Sequence, residues 1–185
     1  PMGFRNRDRF VDEESPLRIV AVSCVDDAPT ELADAVERYS DRADELALDV
    51  EVIERPTVAR LARVFERESD HLHLMAHRSE EGIVCADGTF SPTTLSESNA
   101  RTFLLNACRS HADGIELIER GSVAGVVTCR DVLDEMAAEV GAAFAHLLAE
   151  GFCVVRAARI ARERASVPSD YVAVGDGTHT EAPRR

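Results

Sequence analysis

Lysine is absent from the sequence, so Arg alone supplies its 21 basic residues. Acidic residues number 34, which gives a net charge of −13. A Lys-free, strongly acidic chain is typical of a protein from a high-salt habitat, where a charged surface keeps proteins in solution. Contacts to phosphates need a basic patch, and none is visible along the chain, so we expect no nucleic-acid partner.

Long apolar runs are absent as well. No window approaches the roughly 18 apolar residues that a helix needs to cross a bilayer. The stretch 1–7 also lacks the apolar core of a signal peptide. These absences predict a cytoplasmic protein without a membrane partner.

Cysteine occurs at positions 24, 85, 108, 129 and 153, but no two of these residues have C-x-x-C spacing. An odd number of cysteines without that spacing argues against a disulfide framework and against a zinc ribbon. The thiols are therefore expected to be buried structural groups or, at a suitable place in the fold, reactive ones.

Apolar runs and helical periodicities alternate along the chain, of which 45% is hydrophobic. The runs predict strands at 17–24, 48–53, 71–76, 102–105, 123–128 and 171–174, and an Asp-Gly step predicts a hairpin over 81–90. Helical spacing predicts helices at 30–46, after residue 56, and at 112–120, 132–150 and 153–165. This order produces βαβ units, a mostly parallel sheet and helices on both faces.

We therefore predict an α/β fold, a three-layer αβα sandwich with a mostly parallel six-stranded sheet. The single domain is expected over 17–178, between a flexible N-terminal arm at 1–16 and a tail at 179–185. The last predicted strand lies close to the end of the sequence, which fits a domain taken from a longer protein.

Two of the predicted strands end close to residues whose side chains can act in catalysis. The run beginning at Thr102 leads into Cys108, and the run beginning at Asp70 ends on His77, which lies 31 positions before that cysteine. In an open α/β sheet, ligand-binding and active-site residues lie at the carboxyl ends of the strands. A thiol and an imidazole at two such ends make a candidate nucleophile and base.

Histidines also leave a metal site open as an alternative. Strand alternation puts His71, His73 and His77 on one face, and zinc binds such ligands, with Cys85 as a further one. Side chains at positions i and i+2 of a strand point in parallel rather than converging, so three histidines on one strand are poorly arranged to coordinate a metal ion. We expect no metal and no cofactor, with His73 as a packing or hydrogen-bonding neighbour of the site.

The segments His73-Leu-Met-Ala-His77 and Leu105-Asn-Ala-Cys-Arg-Ser110 resemble the two signature segments of the caspase-like CHAT-domain peptidases. Further matches follow in order within 121–127, 132–137, 144–151 and 157–162, so the resemblance covers about residues 70–165. It implies a caspase-hemoglobinase-type fold and a cysteine endopeptidase that acts on protein or peptide substrates.

The resemblance also implies roles for individual residues. Cys108 would be the nucleophile, and His77 would act as base and then as acid. The backbone N–H groups of Cys108 and of Arg78, in the loop after His77, would hold the oxyanion. Asn106 would be a neighbour of the site. A regulatory repeat or sensor module, in the same or another chain, would control the activity.

One residue departs from the family pattern, because Arg78 stands where the family usually has Gly. Gly permits backbone angles that other residues avoid, so Arg78 is expected to distort the oxyanion loop or to narrow the cleft. This favours an alternative function, a catalytically inactive CHAT-like protein-interaction module. The intact Cys and His count against that alternative. A third possibility, an α/β domain with an unrelated ligand, is weakened by the missing Gly-rich phosphate fingerprint.

Acidic residues follow two of the predicted strands and are candidates for a substrate pocket. Asp26 and Asp27 follow the first strand, and Asp131 and Asp134 follow the fifth, on the same rim as the thiol and the imidazole. Carboxylates there would select Arg or Lys before the scissile bond. The alternative is structural, since acids near a helix start, as at Asp134, favour the helix dipole and Asp-rich loops are common in so acidic a chain.

Overall fold

The computed structural model describes residues 2–10, 16–25, 33, 36–37, 48–131, 134–166 and 170–180, without the side chains of residues 134, 135 and 138. Strands in this part of the chain are β1 Leu17–Ser23, β2 Leu48–Glu54, β3 Ser69–Met75, β4 Arg78–Ser79, β5 Gly82–Cys85, β6 Gly88–Phe90, β7 Ala100–Asn106, β8 Ala124–Thr128 and β9 Tyr171–Gly175. The six strands predicted for the main sheet are confirmed, each to within two residues at either end.

Helices in the described residues are α1 Met2–Asn6, α2 Val58–Glu66, α3 His111–Glu119, α4 Asp134–Ala149 and α5 Val154–Arg164, with 3₁₀ turns at Arg7–Arg9 and Pro92–Thr94. The helices predicted after residue 56 and at 112–120, 132–150 and 153–165 are confirmed there. The helix predicted at 30–46 lies outside the described residues except for 33, 36 and 37, which are helical. None of the described helices has the length and apolar character needed to span a bilayer.

The main sheet has the strand order β2-β1-β3-β7-β8-β9, and the predicted hairpin forms a separate antiparallel sheet, β4-β5-β6. The first five strands of the main sheet pair in parallel. All seven residues of β7 are buried, as expected for a central strand covered on both faces. The parallel strands therefore end together at one edge of the sheet.

The last strand runs against the others. β9 pairs antiparallel with β8, and Tyr171 faces Thr128 in the register. One helix after a strand brings the chain back to the start of a parallel neighbour. Here two helices, α4 and α5, follow β8 in succession, so the chain returns to the carboxyl end of the sheet and β9 begins beside the end of β8.

Helices cover both faces of the sheet. On one face the apolar side chains of β1, β3 and β7 pack with buried residues of α2 and α3. In α2 the buried residues Leu61, Val64 and Phe65 follow helical spacing, and the helix begins where the Thr57 hydroxyl accepts a bond from Arg60 N at 3.2 Å. On the other face Leu104 and Val126 pack with buried residues of α4 and α5. The predicted three-layer αβα sandwich is confirmed.

The N-terminal segment differs from the expected flexible arm over residues 2–10, where α1 and a 3₁₀ turn pack against the domain. The Asn6 amide donates to the carbonyls of Ile118 and Ser122 at 2.8 and 2.7 Å. Gly3 is buried, and a Cβ built on it would lie 2.4 Å from Val123 O. A polar composition does not reveal such tethers, because their partners lie more than 100 positions away in the sequence.

Candidate active site

His77 and Cys108 follow neighbouring strands at the same edge of the sheet. β3 and β7 pair in register up to Met75 and Asn106, and Ala76 N extends this pairing by donating to Asn106 O at 3.2 Å. Each of the two residues therefore lies two positions beyond the last paired residue of its strand. Adjacent strands are about 4.8 Å apart. His77 is exposed and Cys108 is partly buried.

The backbone at His77 is fixed by the hairpin that follows it. Val84 N in β5 donates to His77 O at 2.9 Å, which makes Arg78 and Ile83 the non-hydrogen-bonded pair of the β4–β5 ladder. The N–H of Arg78 consequently points away from β5, so the hairpin partner does not use this donor.

A sharp turn holds Cys108 at the end of β7. The next residue, Arg109, has a φ of 54°, in the left-handed region that costs a side chain of its kind about 1 kcal/mol or more. In this conformation Arg109 makes two contacts, a bond from its N–H to Arg130 O at 3.2 Å and an ion pair of its guanidinium with Asp131 at 2.7 Å. The strain therefore lies directly beside the thiol.

Two hydroxyl groups beneath the turn tie it to β8. The Ser110 hydroxyl donates to Leu105 O at 3.1 Å and accepts from Thr128 N at the same distance. The Thr128 hydroxyl donates to Ala107 O, next to the cysteine. Sequence reasoning missed both residues, and only their small polar side chains after apolar strands hinted at them.

Asn106, expected to be a neighbour of the site, is a buried tether. Its amide nitrogen donates to Ala137 O in α4 at 2.8 Å, and its amide oxygen accepts from the Tyr171 hydroxyl in β9 at 2.5 Å. The side chain joins β7 to a helix and to the last strand two residues before Cys108, which fixes the direction in which the chain leaves the sheet.

The two histidines within β3, His71 and His73, are buried in the core. His71 Nδ1 lies 2.9 Å from the Thr102 hydroxyl, and this hydroxyl donates to Asp70 O at 2.9 Å. The hydroxyl therefore accepts at His71, whose Nδ1 carries the proton. His73 is 0% exposed. Within the described residues no group of three or more His, Cys, Asp or Glu side chains is arranged to hold a metal ion.

His71 gives the folded protein a sensitivity to acid. Burial, with the neighbouring His73 as second cause, lowers the pKa of His71 from 6.5 to about 3. Below pH 6.5 the unfolded chain takes up a proton there and the folded protein does not, so the free energy of unfolding falls as the pH drops toward 3. We expect a loss of about 2–3 kcal/mol between pH 6.5 and 4.5 in urea unfolding.

Two variants separate this effect from general acid denaturation. His71→Gln should lose that part of the pH dependence, whereas His111→Gln, which alters an exposed histidine, should keep it. Equal slopes of stability against pH in wild type and His71→Gln would exclude the assignment.

Arg78 does not distort the backbone as expected from its replacement of Gly. Its φ is not positive, unlike that of Arg109, and it lies in the short strand β4. Its Nε donates to the Asp113 carboxylate at 2.6 Å, and its Nη1 donates to Ser79 O at 3.1 Å. Asp113 belongs to α3, the helix that follows Cys108, so this pair connects the segment after His77 to the segment after Cys108.

Loss of this ion pair should destabilise the protein. Asp113 is only 7% exposed and Arg78 20%, so Arg78→Met leaves a carboxylate nearly buried without its partner. We expect a loss of about 2 kcal/mol in the free energy of unfolding. The matched control is Arg109→Met, whose pair with Asp131 is 69% and 63% exposed and is worth about 0.5 kcal/mol. Equal losses in the two variants would contradict this ranking.

The structure places one of the four predicted pocket acids against Arg109, the residue that follows Cys108. Asp131 lies at the rim, in its ion pair with Arg109. Asp134 begins α4, and its side chain is outside the described set. Asp26 and Asp27 lie outside the described residues. Asp113 was missed, because its partner is 35 positions away in the sequence.

No protein-family model and no curated protein matches this sequence. Among solved structures, the chain is similar to the crystal structure of the Arg-specific cysteine proteinase gingipain R, with a TM-score of 0.71 and 12% sequence identity. The chain has a caspase-like fold. The match covers 96% of this chain and 52% of the other, so the chain spans about half the length of that proteinase. At this identity the likeness is one of fold, and it agrees with the mostly parallel six-stranded sheet flanked by helices.

Proposed function

We propose that this caspase-like domain is a cysteine endopeptidase of the CHAT type that hydrolyses peptide bonds through Cys108 and His77. The observation that supports this most is the equal offset of the two residues beyond the paired ends of β3 and β7. A proteinase of the same fold adds support at the level of architecture. The turn around Cys108 is tied at several points, which suits a group that must keep its position during a reaction.

In the proposed reaction, His77 takes the thiol proton and the Cys108 thiolate attacks the scissile carbonyl. The carbonyl oxygen becomes an oxyanion, for which the N–H groups of Cys108 and Arg78 are the proposed donors. The leaving amine takes its proton from His77 and departs, which leaves a thioester on Cys108. Water activated by His77 then hydrolyses the thioester and regenerates the thiol.

Peptide cleavage is the direct test of this proposal. The protein is incubated at high salt and near-neutral pH with a denatured protein substrate, and new termini are mapped by mass spectrometry. We expect internal cleavage sites that are absent after pretreatment of the enzyme with iodoacetamide. A complete absence of new termini would reject the peptidase and favour the inactive protein-interaction module. The ordinary backbone at Arg78 removes one argument for that alternative.

We further propose that acidic residues of the rim favour a basic residue before the scissile bond. Gingipain R is described as Arg-specific, and the proposed acids here are Asp26, Asp27, Asp131 and Asp134. Asp131 is engaged by Arg109, but an exposed ion pair is worth at most about 1 kcal/mol. A substrate guanidinium can therefore replace Arg109 as the partner of this carboxylate.

The Asp131→Asn variant tests this pocket. For a peptide with Arg before the scissile bond, kcat/KM should fall about fivefold, the equivalent of one exposed ion pair. For the same peptide with Ala at that position, kcat/KM should stay unchanged. Equal effects on both peptides would remove Asp131 from the pocket.

Protein or peptide substrates are the proposed partners, and a repeat or sensor module in this or another chain is the proposed regulator. The cytoplasmic location and the high-salt habitat remain predictions from composition. A salt optimum for stability, measured by thermal unfolding at increasing NaCl, would support the habitat.

A further inference from the structure

Two cysteines other than Cys108 lie close to the candidate site, and the peptidase proposal does not use them. The first of the two, Cys24, follows β1 at the carboxyl edge of the sheet. Its N–H donates to Met75 O at 2.8 Å, and the preceding Ser23 O accepts from Arg55 N at 2.7 Å. Cys24 is therefore bracketed by the end of β3 on one side and the end of β2 on the other.

The second, Cys85, ends β5 of the hairpin and is bracketed by the same two segments. The preceding residue, Val84, donates to His77 O at 2.9 Å, and the following residue, Ala86, donates to Pro56 O at 3.0 Å. The hairpin thus lies across the end of β1. Cys85 is 8% exposed, and Cys24 packs against the same apolar cluster.

The two thiols lie between the same two segments, and both side chains pack in the same apolar cluster. The Cys24 thiol hydrogen-bonds to Cys85, which raises the pKa of Cys24, with burial as a second cause. The same bond lowers the pKa of Cys85. The Cys85 sulfur also lies 3.8 Å from Ile83 O. Two thiols placed between the same segments, one of them with a lowered pKa, make a pair suited to thiol oxidation.

We propose that Cys24 and Cys85 form a reversible disulfide that ties the end of β1 to the hairpin beside His77. A peroxide is the oxidant. The Cys85 thiolate attacks the peroxide oxygen and becomes a sulfenic acid, and hydroxide leaves. The Cys24 sulfur then attacks the sulfenic sulfur, the S–S bond forms, and the departing hydroxide takes the Cys24 proton as water. Two electrons pass from the thiols to the peroxide, and a dithiol reductant reverses the reaction.

The bond would join residues 61 positions apart in the sequence, and it needs no hydrolytic activity to form. If the peptidase proposal fails, the disulfide proposal is therefore unaffected, and if the disulfide proposal fails, the peptidase proposal is unaffected. The odd number of cysteines argues against a framework of several disulfides, but it leaves room for one pair among five thiols.

Peptide mapping tests the proposal sharply, because cleavage after Arg puts each cysteine on a different tryptic peptide. These peptides are 19–38, 79–101, 102–109, 121–130 and 131–156. The full chain is treated with hydrogen peroxide, blocked with N-ethylmaleimide and digested without reductant. We expect the dominant disulfide-linked species to join 19–38 to 79–101 and to disappear after dithiothreitol. Disulfides that mainly involve the other three peptides, or no linked species, would overturn the proposal.

Cysteine variants and thermal unfolding provide a second test of the disulfide. Cys24→Ser should abolish the linked species, whereas Cys153→Ser, at a cysteine outside the pair, should keep it. Oxidised wild type should unfold at a Tm about 6 °C or more above the reduced protein, because closing a long loop restricts the unfolded chain. An unchanged Tm in a fully linked sample would contradict a disulfide that ties β1 to the hairpin of the folded protein. Mapping of the wild type decides the question even if a variant does not fold.

Discussion

Replacing Cys108 by Ala should abolish peptide hydrolysis, with a fall in kcat/KM of at least about 10⁴-fold. The reason is chemical, since the proposed reaction passes through a thioester on this sulfur and an alanine methyl group cannot form one. Removal of a catalytic nucleophile typically leaves only the rate enhancement from binding and oxyanion contacts. The measurement is steady-state hydrolysis of a fluorogenic peptide found by the termini mapping.

The matched control for this variant is Cys129→Ala. Cys129 is an exposed cysteine that follows β8 at the same edge of the sheet. It should retain activity within about twofold, the scatter expected for a surface change away from the reacting atoms. If Cys108→Ala still cleaves the peptide, or if the two variants lose activity equally, the assignment of the nucleophile is wrong.

Replacing His77 by Ala should lower kcat/KM by about 10²- to 10⁴-fold, which is the usual contribution of a general acid and base. A smaller loss than for the cysteine is expected, because the fraction of thiol that is ionised in solution still reacts. The residual activity should therefore rise as the pH is raised, because more of the thiol is then present as thiolate. A pH profile of the variant measures this directly.

The control for this variant is His111→Ala, at an exposed histidine that begins α3, three residues after Cys108. It should keep both the rate and the pH profile of the wild type. A normal profile in His77→Ala, or a loss shared by both histidine variants, would argue that the imidazole of His77 does not serve the thiol.

The strands around the site could be predicted from sequence because of where they lie. β3 and β7 are central parallel strands, and each carries apolar residues close to its carboxyl end, at 72, 74 and 75 in β3 and at 103–105 in β7. That pattern also placed His77 and Cys108 on one edge, since carboxyl ends of neighbouring parallel strands meet there. Burial on both faces thus made the fold and the candidate pair predictable together.

Contacts between distant segments could not be predicted in this way. The partners Arg78 and Asp113 belong to a hairpin and a helix, and nothing local to either residue indicates the other. The left-handed backbone conformation at position 109 could not be predicted either, because this position holds Arg instead of the Gly that usually adopts a positive φ. The antiparallel direction of β9, in contrast, is implied by the two helices predicted in succession at 132–150 and 153–165.

The placement of Cys24 and Cys85 between the same two segments could not be predicted for the same reason. It depends on how the hairpin lies across the end of β1, which backbone hydrogen bonds of residues 55–56 and 75–77 determine. Counting cysteines and measuring their spacing describes local motifs and disulfide frameworks, but it gives no information about a pair brought together by the fold of two separate segments.

Labelling by a peptidyl acyloxymethyl ketone is a direct test of the Cys108–His77 pair, because the probe needs both a peptide-binding cleft and a reactive thiol. The protein is labelled at high salt and near-neutral pH, digested, and the modified cysteine is identified. We expect labelling of Cys108 alone, at least about 10²-fold slower in His77→Ala and unchanged in His111→Ala. Labelling spread over all five cysteines, or none at Cys108, would contradict the account of a Cys108–His77 peptidase.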